Sequence, residues 1–287
     1  MLGEVDLVPF EVSALPLGPY LVFAPHPDDE TFGLGGTLLL AAQAGIDIHV
    51  VIMTDGALGG KADDITNLRK QEAQQAVDFI GVKSLHFFDF PDRSLTVNEA
   101  LIGKAVSYIE QISPAAIFFP SMMEYHPDHR ATAYIIGQAI NRLLEHNFDC
   151  FSYDISVHGF INRLIDITSV VEKKVEAMGF YLSQLDENQY SDLVLALNRT
   201  RAYTLNDSVT HAEGLYQFTK DELQDIERFT IKRVVRYWDQ GAGYEMLEGH
   251  DGLLAKLGEC QVERQAMKDG ICVRLLAAFR KIFFNAS

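Results

Sequence analysis

Two short stretches of this sequence carry residue types that could do chemistry together. The run His26-Pro27-Asp28-Asp29-Glu30 puts one imidazole and three carboxylates directly after the apolar segment Tyr20-Leu21-Val22-Phe23-Ala24. Much later, His126-Pro127-Asp128-His129 supplies two more imidazoles, three positions apart, with an acid between them. Two imidazoles and one carboxylate give three protein ligands for a divalent metal and leave a position for water, as in catalytic zinc sites. Such a metal acidifies water and polarises a carbonyl oxygen. A second carboxylate, off the metal, then serves as general base, and a further group, an imidazolium, can face a developing oxyanion. A tight His-Pro-Asp-Asp turn aims His26 and Asp29 inward with Asp28 on its flank. Spacing alone leaves open which of His126 and His129 holds the metal. Either motif by itself reads as an ordinary Asp/Pro loop; the metal reading rests on there being two, each at the end of a strand.

The elements around the motifs decide whether they meet. From residue 20 to about 160, short apolar runs rich in β-branched residues alternate with longer segments of helical period, which is the pattern of βαβ units and a parallel sheet. Strands are predicted at 20–24, 46–54, 85–90, 114–120 and 150–159, and helices at 35–45, 64–81, 97–112 and 130–146. The fold class is therefore α/β: a Rossmann-like, doubly wound, mostly parallel sheet of order 3-2-1-4-5, flanked by helices. In that order strands one and four are neighbours, and ligands bind in the crevice outside their carboxyl ends. One motif follows each of those strands. Beyond about residue 165 the pattern turns mainly helical, and Thr219 is a good N-cap for a further helix. A soft boundary near residue 220 divides a catalytic domain, 1–220, from a helical C-terminal extension, 221–287.

Composition narrows the classes of function. The chain has 287 residues, 48% of them hydrophobic, and a formal charge of −16. That charge and the lack of a basic patch in the body of the chain argue against nucleic acid as a partner. The first twenty residues show no signal-peptide pattern, and no apolar run reaches the length of a spanning helix. Three cysteines, Cys150, Cys260 and Cys272, are odd in number and lack metal-ligand spacing. They read as small buried hydrophobes in a cytoplasmic protein. The glycines of Gly33-Leu34-Gly35-Gly36-Thr37-Leu38 suggest a dinucleotide loop, but Leu38 stands where the fingerprint needs its last glycine, and the turn carries acid where pyrophosphate would sit. The glycines instead let the helix start approach the site closely. His49 and His86 fall inside predicted strands and read as core imidazoles; His146 and His250 read as surface residues.

At these residues the sequence resembles the PIG-L/LmbE-like family of zinc-dependent N-acetylglucosamine de-N-acetylases. The likeness runs through "PHPDDE", the "TDG" at 54–56, "LRKQEA" with Arg69 and Glu72, "HPDH", "NRLIDIT" with Asn162 and Asp166, and "AEGLYQF" at 212–218. The paired histidine–acid motifs are its specific part. The resemblance implies a Zn2+ ion, or Fe2+ on the same donors, held by His26, Asp29 and His129, with Asp28 as general base. It implies that His126 stabilises the tetrahedral oxyanion and that Asp128 orients a neighbouring imidazole. Arg69 corresponds to a substrate-binding arginine of the family, and its competing reading is a helix-surface ion pair with Glu72. Glu30 reads as a supporting acid behind the site or a helix N-terminal acid favoured by the dipole. The implied partner is an N-acetyl sugar conjugate.

Residues 221–287 extend past the resemblance. From Val262 the chain is basic, with Arg264, Lys268, Arg274, Arg280 and Lys281 among apolar residues. Residues 262–287 read either as an amphipathic helix resting on a membrane surface or as a terminal helix packing on the domain or on a second copy in a homo-oligomer. Two other functions share part of the site. Two histidines and one carboxylate also form the facial triad of non-haem iron oxygenases, but Asp28 would be idle there. A non-catalytic sugar-binding relative would not need a complete set of ligands and base.

Overall fold

The computed structural model describes residues 4–229 apart from 61, 144, 146, 187 and 227. The strand β1 (Tyr20–Ala24) lies at the centre, and each of its five residues is buried. It pairs in parallel with β2 (Ile48–Thr54) on one side and β4 (Ala116–Pro120) on the other. β3 (Ser84–Phe90) continues the sheet beyond β2, and β5 (Asp149–Tyr153) beyond β4, both in parallel. The order 3-2-1-4-5 expected from sequence is therefore present, with the reversal of winding between β1 and β4. Parallel strands covered on both faces need near-continuous apolar runs, and "YLVFA", "HVVIMT" and "AIFFP" supply them.

Side chains of β1 alternate between two cores, as the two-residue period of a strand requires. Leu21 and Phe23 join the cluster built with α3 (Glu99–Ile112) and α4 (Pro127–Asn141). Tyr20, Val22 and Ala24 join the cluster on the opposite face, under α1 (Asp29–Gln43). α2 (Ile65–Ile80) flanks α1 and ends at Gly81, whose φ of 93° is the left-handed cap that glycine tolerates.

The region after residue 165 corrects the mainly helical expectation. Two antiparallel strands, β6 (Arg163–Asp166) and β7 (Ala212–Gln217), extend the sheet to β3-β2-β1-β4-β5-β7-β6. Their sequences are the "RLID" and "AEGLYQ" of the later motifs. Between them lie α5 (Val171–Met178), α6 (Leu182–Leu185) and α7 (Tyr190–Arg201). After β7, Thr219 caps α8 (Lys220–Gln224) in a capping box with Glu222. Leu223, Ile226 and Phe229 are buried in the core beside α4. The extension assigned to 221–287 lies outside the described residues from 230 on, as do the basic segment 262–287, Cys260, Cys272 and His250; so does His146. Among the described residues no helix is long and apolar enough to cross a membrane.

Two further assignments change. Among the described residues β3 pairs only with β2 and so stands at the edge of the sheet. His86 is accordingly exposed, its ring stacked on Tyr108 at 5.1 Å between centroids. His49 is half-buried, with Nδ1 2.7 Å from the Ser84 hydroxyl.

Candidate active site

The chain leaves β1 through Pro25, whose carbonyl accepts the Thr54 amide and hydroxyl at 3.0 and 2.9 Å, tying the turn to the end of β2. α1 begins at Asp29, six residues before the predicted start, so the motif acids form its first turn. Asp28 stands at the N-cap with φ 140°, a conformation costly for a residue with a side chain and found where surrounding contacts enforce it. Those contacts are present. Glu30 Oε2 accepts the Asp28 amide at 3.2 Å, and Arg69 Nη2 donates to the Pro27 carbonyl at 2.9 Å. Glu30 is itself fully buried and accepts hydrogen bonds from the hydroxyls of Thr31 and Tyr181. Gly33 lets the helix lie against β5: a Cβ there would stand 2.5 Å from the Tyr153 ring.

The second motif is positioned by α4. Pro127 takes the first helical position, where its missing N–H costs nothing, and His126 is the N-cap, its Nδ1 accepting the Asp128 amide at 3.2 Å. That places the hydrogen of a neutral His126 ring on Nε2. Burial, together with the charges of His26 and His129, takes His126 down to about 4, so the ring is neutral near pH 7 rather than the imidazolium expected. Asp128 accepts the Arg93 amide at 2.6 Å and the Leu95 amide at 3.4 Å, which fastens the loop after β3 to α4.

The two motifs meet. His26 Nδ1 lies 3.0 Å from Asp29 Oδ2, and His129 Nε2 lies 3.2 Å from that same oxygen. Ligands about 2.0–2.2 Å from one tetrahedral ion stand roughly 3.3–3.6 Å apart, so the Asp29 oxygen lies from each of these two nitrogens at close to the spacing that a shared metal sets. Nitrogen atoms of His26, His126 and His129 all fall within 4.8 Å of one another, and a second set of donor atoms within 4.8 Å of one another is offered by His26, Asp92 and Asp128. The field is that of a cation site. Burial favours neutral rings, but Asp128, Asp29 and Asp92 outweigh it at His26 and hold its pKa well above the usual value. Asp29 and Glu124 do the same at His129, raising it to about 9. Burial would raise Asp29, yet the two imidazoles hold it below the usual carboxylate range. A divalent cation bound by those nitrogens would displace their protons and meet that negative field.

Asp28 differs from its neighbours. Burial pushes it up to about 7 against the opposing charge of Arg69. Arg69 is only 3% exposed, and its guanidinium donates to Asp28 Oδ2 at 3.0 Å, Gly56 O at 3.1 Å and Pro27 O. The surface pair with Glu72 does not form: Glu72 accepts the Ser183 amide and hydroxyl at 2.8 and 2.6 Å. His26, Asp28, Asp29, Arg69, His126 and His129 line a cleft of about 720 Å3 that also reaches Tyr125, Gln184, Tyr190 and Leu193.

Two acids at the site escape the sequence reading. Asp92, on the loop after β3, lies with Oδ1 3.3 Å from His26 Nε2, while Oδ2 accepts the Leu58 amide. Glu124, after β4, lies with Oε2 3.4 Å from His129 Nδ1 and accepts the Ile155 amide at 2.8 Å through Oε1. Carboxylates behind histidine ligands fix ring orientation and raise basicity. Their only signal in the sequence is position, shortly after a predicted parallel strand.

Residues 21–140 match the model of the PIG-L family, described as GlcNAc-PI de-N-acetylase. A diacetylchitobiose deacetylase of Thermococcus kodakarensis is 29% identical over 188 residues, covering 58% of this chain and 70% of its own. The structure of N,N′-diacetylchitobiose deacetylase from Pyrococcus horikoshii superposes with a TM-score of 0.63 at 22% identity, over 71% of this chain and 84% of that one. The 4-carboxy-2-hydroxymuconate hydratase of Pseudomonas putida KT2440 superposes with a TM-score of 0.61 at 22% identity, over 70% and 95%. At such identities the two structures establish the fold alone, and their different reactions leave the chemistry to the side chains. Both histidine–acid motifs and Arg69 lie within the span that matches the PIG-L model, so the part of the chain that carries the site is similar to the PIG-L/LmbE-like family.

Proposed function

We propose that the protein is a metal-dependent hydrolase that removes the acetyl group from an N-acetylglucosamine-type sugar conjugate. The observation that carries this reading is the meeting of His26, Asp29 and His129 around one oxygen, with a second carboxylate, Asp28, beside them and outside that set. The family match and the deacetylase relatives support the choice of an amide substrate.

His26, Asp29 and His129 would hold Zn2+, for which two nitrogens and an oxygen are fitting donors, or Fe2+. When bound, such a cation polarises the acetamide carbonyl and acidifies water. The chain's own residues supply the rest. Asp28 Oδ2 is held by Arg69, which leaves Oδ1 to take the proton of the attacking water. His126, with Nδ1 occupied by the Asp128 amide, presents Nε2–H as a donor to the carbonyl oxygen as that oxygen becomes negative. The carbon–nitrogen bond then breaks, the proton held on Asp28 passes to the departing amine, and acetate leaves. Asp128, 3.3 Å from His26 Nε2, holds that ring in place.

The test is acetate release from a panel of N-acetylglucosamine derivatives by metal-stripped protein with and without added zinc. Release that appears only with zinc is expected. A zinc-loaded protein that frees no acetate from any derivative would refute the assignment.

A further inference from the structure

Beside the catalytic cleft lies a second depression of about 480 Å3. Its walls are Met123 and Tyr125 on the loop after β4, Val157 and His158 on the loop after β5, and Ala196 and Thr200 on α7. The depression is continuous with the cleft, because Tyr125, Ser156 and Leu197 border both. Leu193, Ala196, Leu197 and Thr200, spaced i, i+3, i+4 and i+7, form one stripe of α7 that borders this joined space. Asn198, on the opposite side of the helix, is buried instead. Leu193 is left 58% exposed and Tyr125 79%.

The chemistry of the walls selects an occupant. Among the described residues no Asp, Glu, Lys or Arg borders the depression, in a chain of formal charge −16. Burial and the charge of Arg201 hold His158 below its usual pKa, so that ring is neutral as well. A phosphate or carboxylate placed here would lose water and gain no cation. A sugar ring has the matching character: its C–H face lies on Tyr125 and Leu197, and its hydroxyls meet acceptors at the edges. The Thr200 hydroxyl donates to Ala196 O at 2.9 Å and keeps its lone pairs for a ligand. His158 Nε2 faces Leu197 O at 3.4 Å, which leaves Nδ1 as an acceptor. Arg130 donates to the carbonyls of Glu124 and Tyr125, fixing the backbone that carries the aromatic wall, and such preorganisation lowers the cost of binding.

We propose that this depression is the subsite for the second, uncharged sugar ring of an N-acetylglucosamine-containing saccharide whose reacting ring lies over His26 and Asp28. The inference rests on the deacetylase reading and names its substrate class: an uncharged saccharide rather than a conjugate with an anionic aglycone.

The experiment uses the full chain loaded with zinc. Acetate release is followed from N-acetylglucosamine, N,N′-diacetylchitobiose and N-acetylglucosamine 1-phosphate, and binding of the disaccharide is measured by calorimetry. The parent, Ala196→Trp, which fills the depression from an exposed position, and Tyr125→Ala are compared. The parent is expected to favour the disaccharide over the monosaccharide in kcat/KM by about tenfold or more. That ratio should collapse in Ala196→Trp, through KM rather than kcat, and fall in Tyr125→Ala. Equal use of one and two rings, a preference for the 1-phosphate, or a ratio that survives Ala196→Trp would overturn the proposal. If no sugar yields acetate, the deacetylase reading fails on its own. Disaccharide binding that is lost in Ala196→Trp would then still support the subsite, and absence of binding would sink both.

Discussion

Replacing Asp28 with asparagine keeps the shape of the side chain and removes its ability to take a proton. The structure indicates how much of the reaction that should cost. Of the three acids in the first motif, Asp29 has Oδ2 engaged by the His26 amide at 2.9 Å and by two imidazoles. Glu30 is fully buried, with Tyr181, Thr31 and the Asp28 amide on its oxygens. Neither can take over the base. Asp28 borders the cleft and keeps one oxygen, Oδ1, outside its hydrogen bond with Arg69. A positioned general base contributes about 10²- to 10⁴-fold. With no substitute nearby, Asp28→Asn should approach the upper end of that range, ~4–5 kcal/mol of transition-state stabilisation at 1.36 kcal/mol per tenfold.

The assay has two parts: acetate release under saturating substrate, and zinc content of the dialysed protein. Asp28→Asn should retain zinc and lose turnover. Asp29→Asn, by contrast, removes a proposed ligand and should lose both. An Asp28→Asn protein with more than about a tenth of parental kcat would refute the reasoning, because a single decade is less than general-base removal costs. Loss of zinc from Asp28→Asn together with retention in Asp29→Asn would reverse the two roles.

Two substitutions away from the cleft test the scaffold. Gly33→Ala sets a methyl 2.5 Å from the Tyr153 ring and 3.0 Å from the Asp154 carbonyl, an overpacking worth about 1–3 kcal/mol. Thermal unfolding should fall by ~2–12 °C, and an unchanged midpoint would show that α1 does not need this approach. Lys174, fully buried, bonds Glu213 Oε1 at 2.7 Å and Asn198 Oδ1 at 2.9 Å. Lys174→Met strands the Glu213 carboxylate and should cost about 3–5 kcal/mol, most of it recovered in Lys174→Met/Glu213→Gln. A single variant as stable as the parent in calorimetry would remove the pair from the account.

The centre of the parallel sheet was legible because β1, β2 and β4 are buried on both faces and so read as near-continuous apolar runs. The antiparallel half was not. β6 has only four residues, and β7 places Glu213 and Gly214 in its interior. Glu213 is tolerated there because it accepts the Gly36 and Thr37 amides of α1 at 2.8 and 2.7 Å, while Gly214 admits the Arg201 side chain. Neither reason is visible locally, and β-propensity rejects both residues. The two helices that carry the site were predicted to begin too late for a related reason. Their first turns are the motifs themselves, and acid, proline and histidine read as loop until the dipole and the capping contacts are known.

In the proposed roles, the two motifs are contiguous because a metal fixes the angles among its ligands, and a single turn can deliver two ligands and a base in constant relation. Groups that steady those ligands need only reach them from any neighbouring loop, so they have no sequence spacing. They do have an address. Each of the five parallel strands is followed within four residues by an acid: Asp28, Asp55, Asp92, Glu124 and Asp154. These acids gather at the edge where ligands bind in a doubly wound sheet. Their partners separate them. Asp154 is neutralised by Arg201 and donates nothing to the cleft. Asp55 Oδ1 accepts the Ala57 and Asp92 amides and so holds a loop. Asp92 and Glu124 face imidazoles, and Asp28 keeps Oδ1 for its proposed role as base. An acid at a strand end is thus a candidate from sequence, and the cation or amide that claims its oxygens decides whether it supports the fold, the metal or the chemistry.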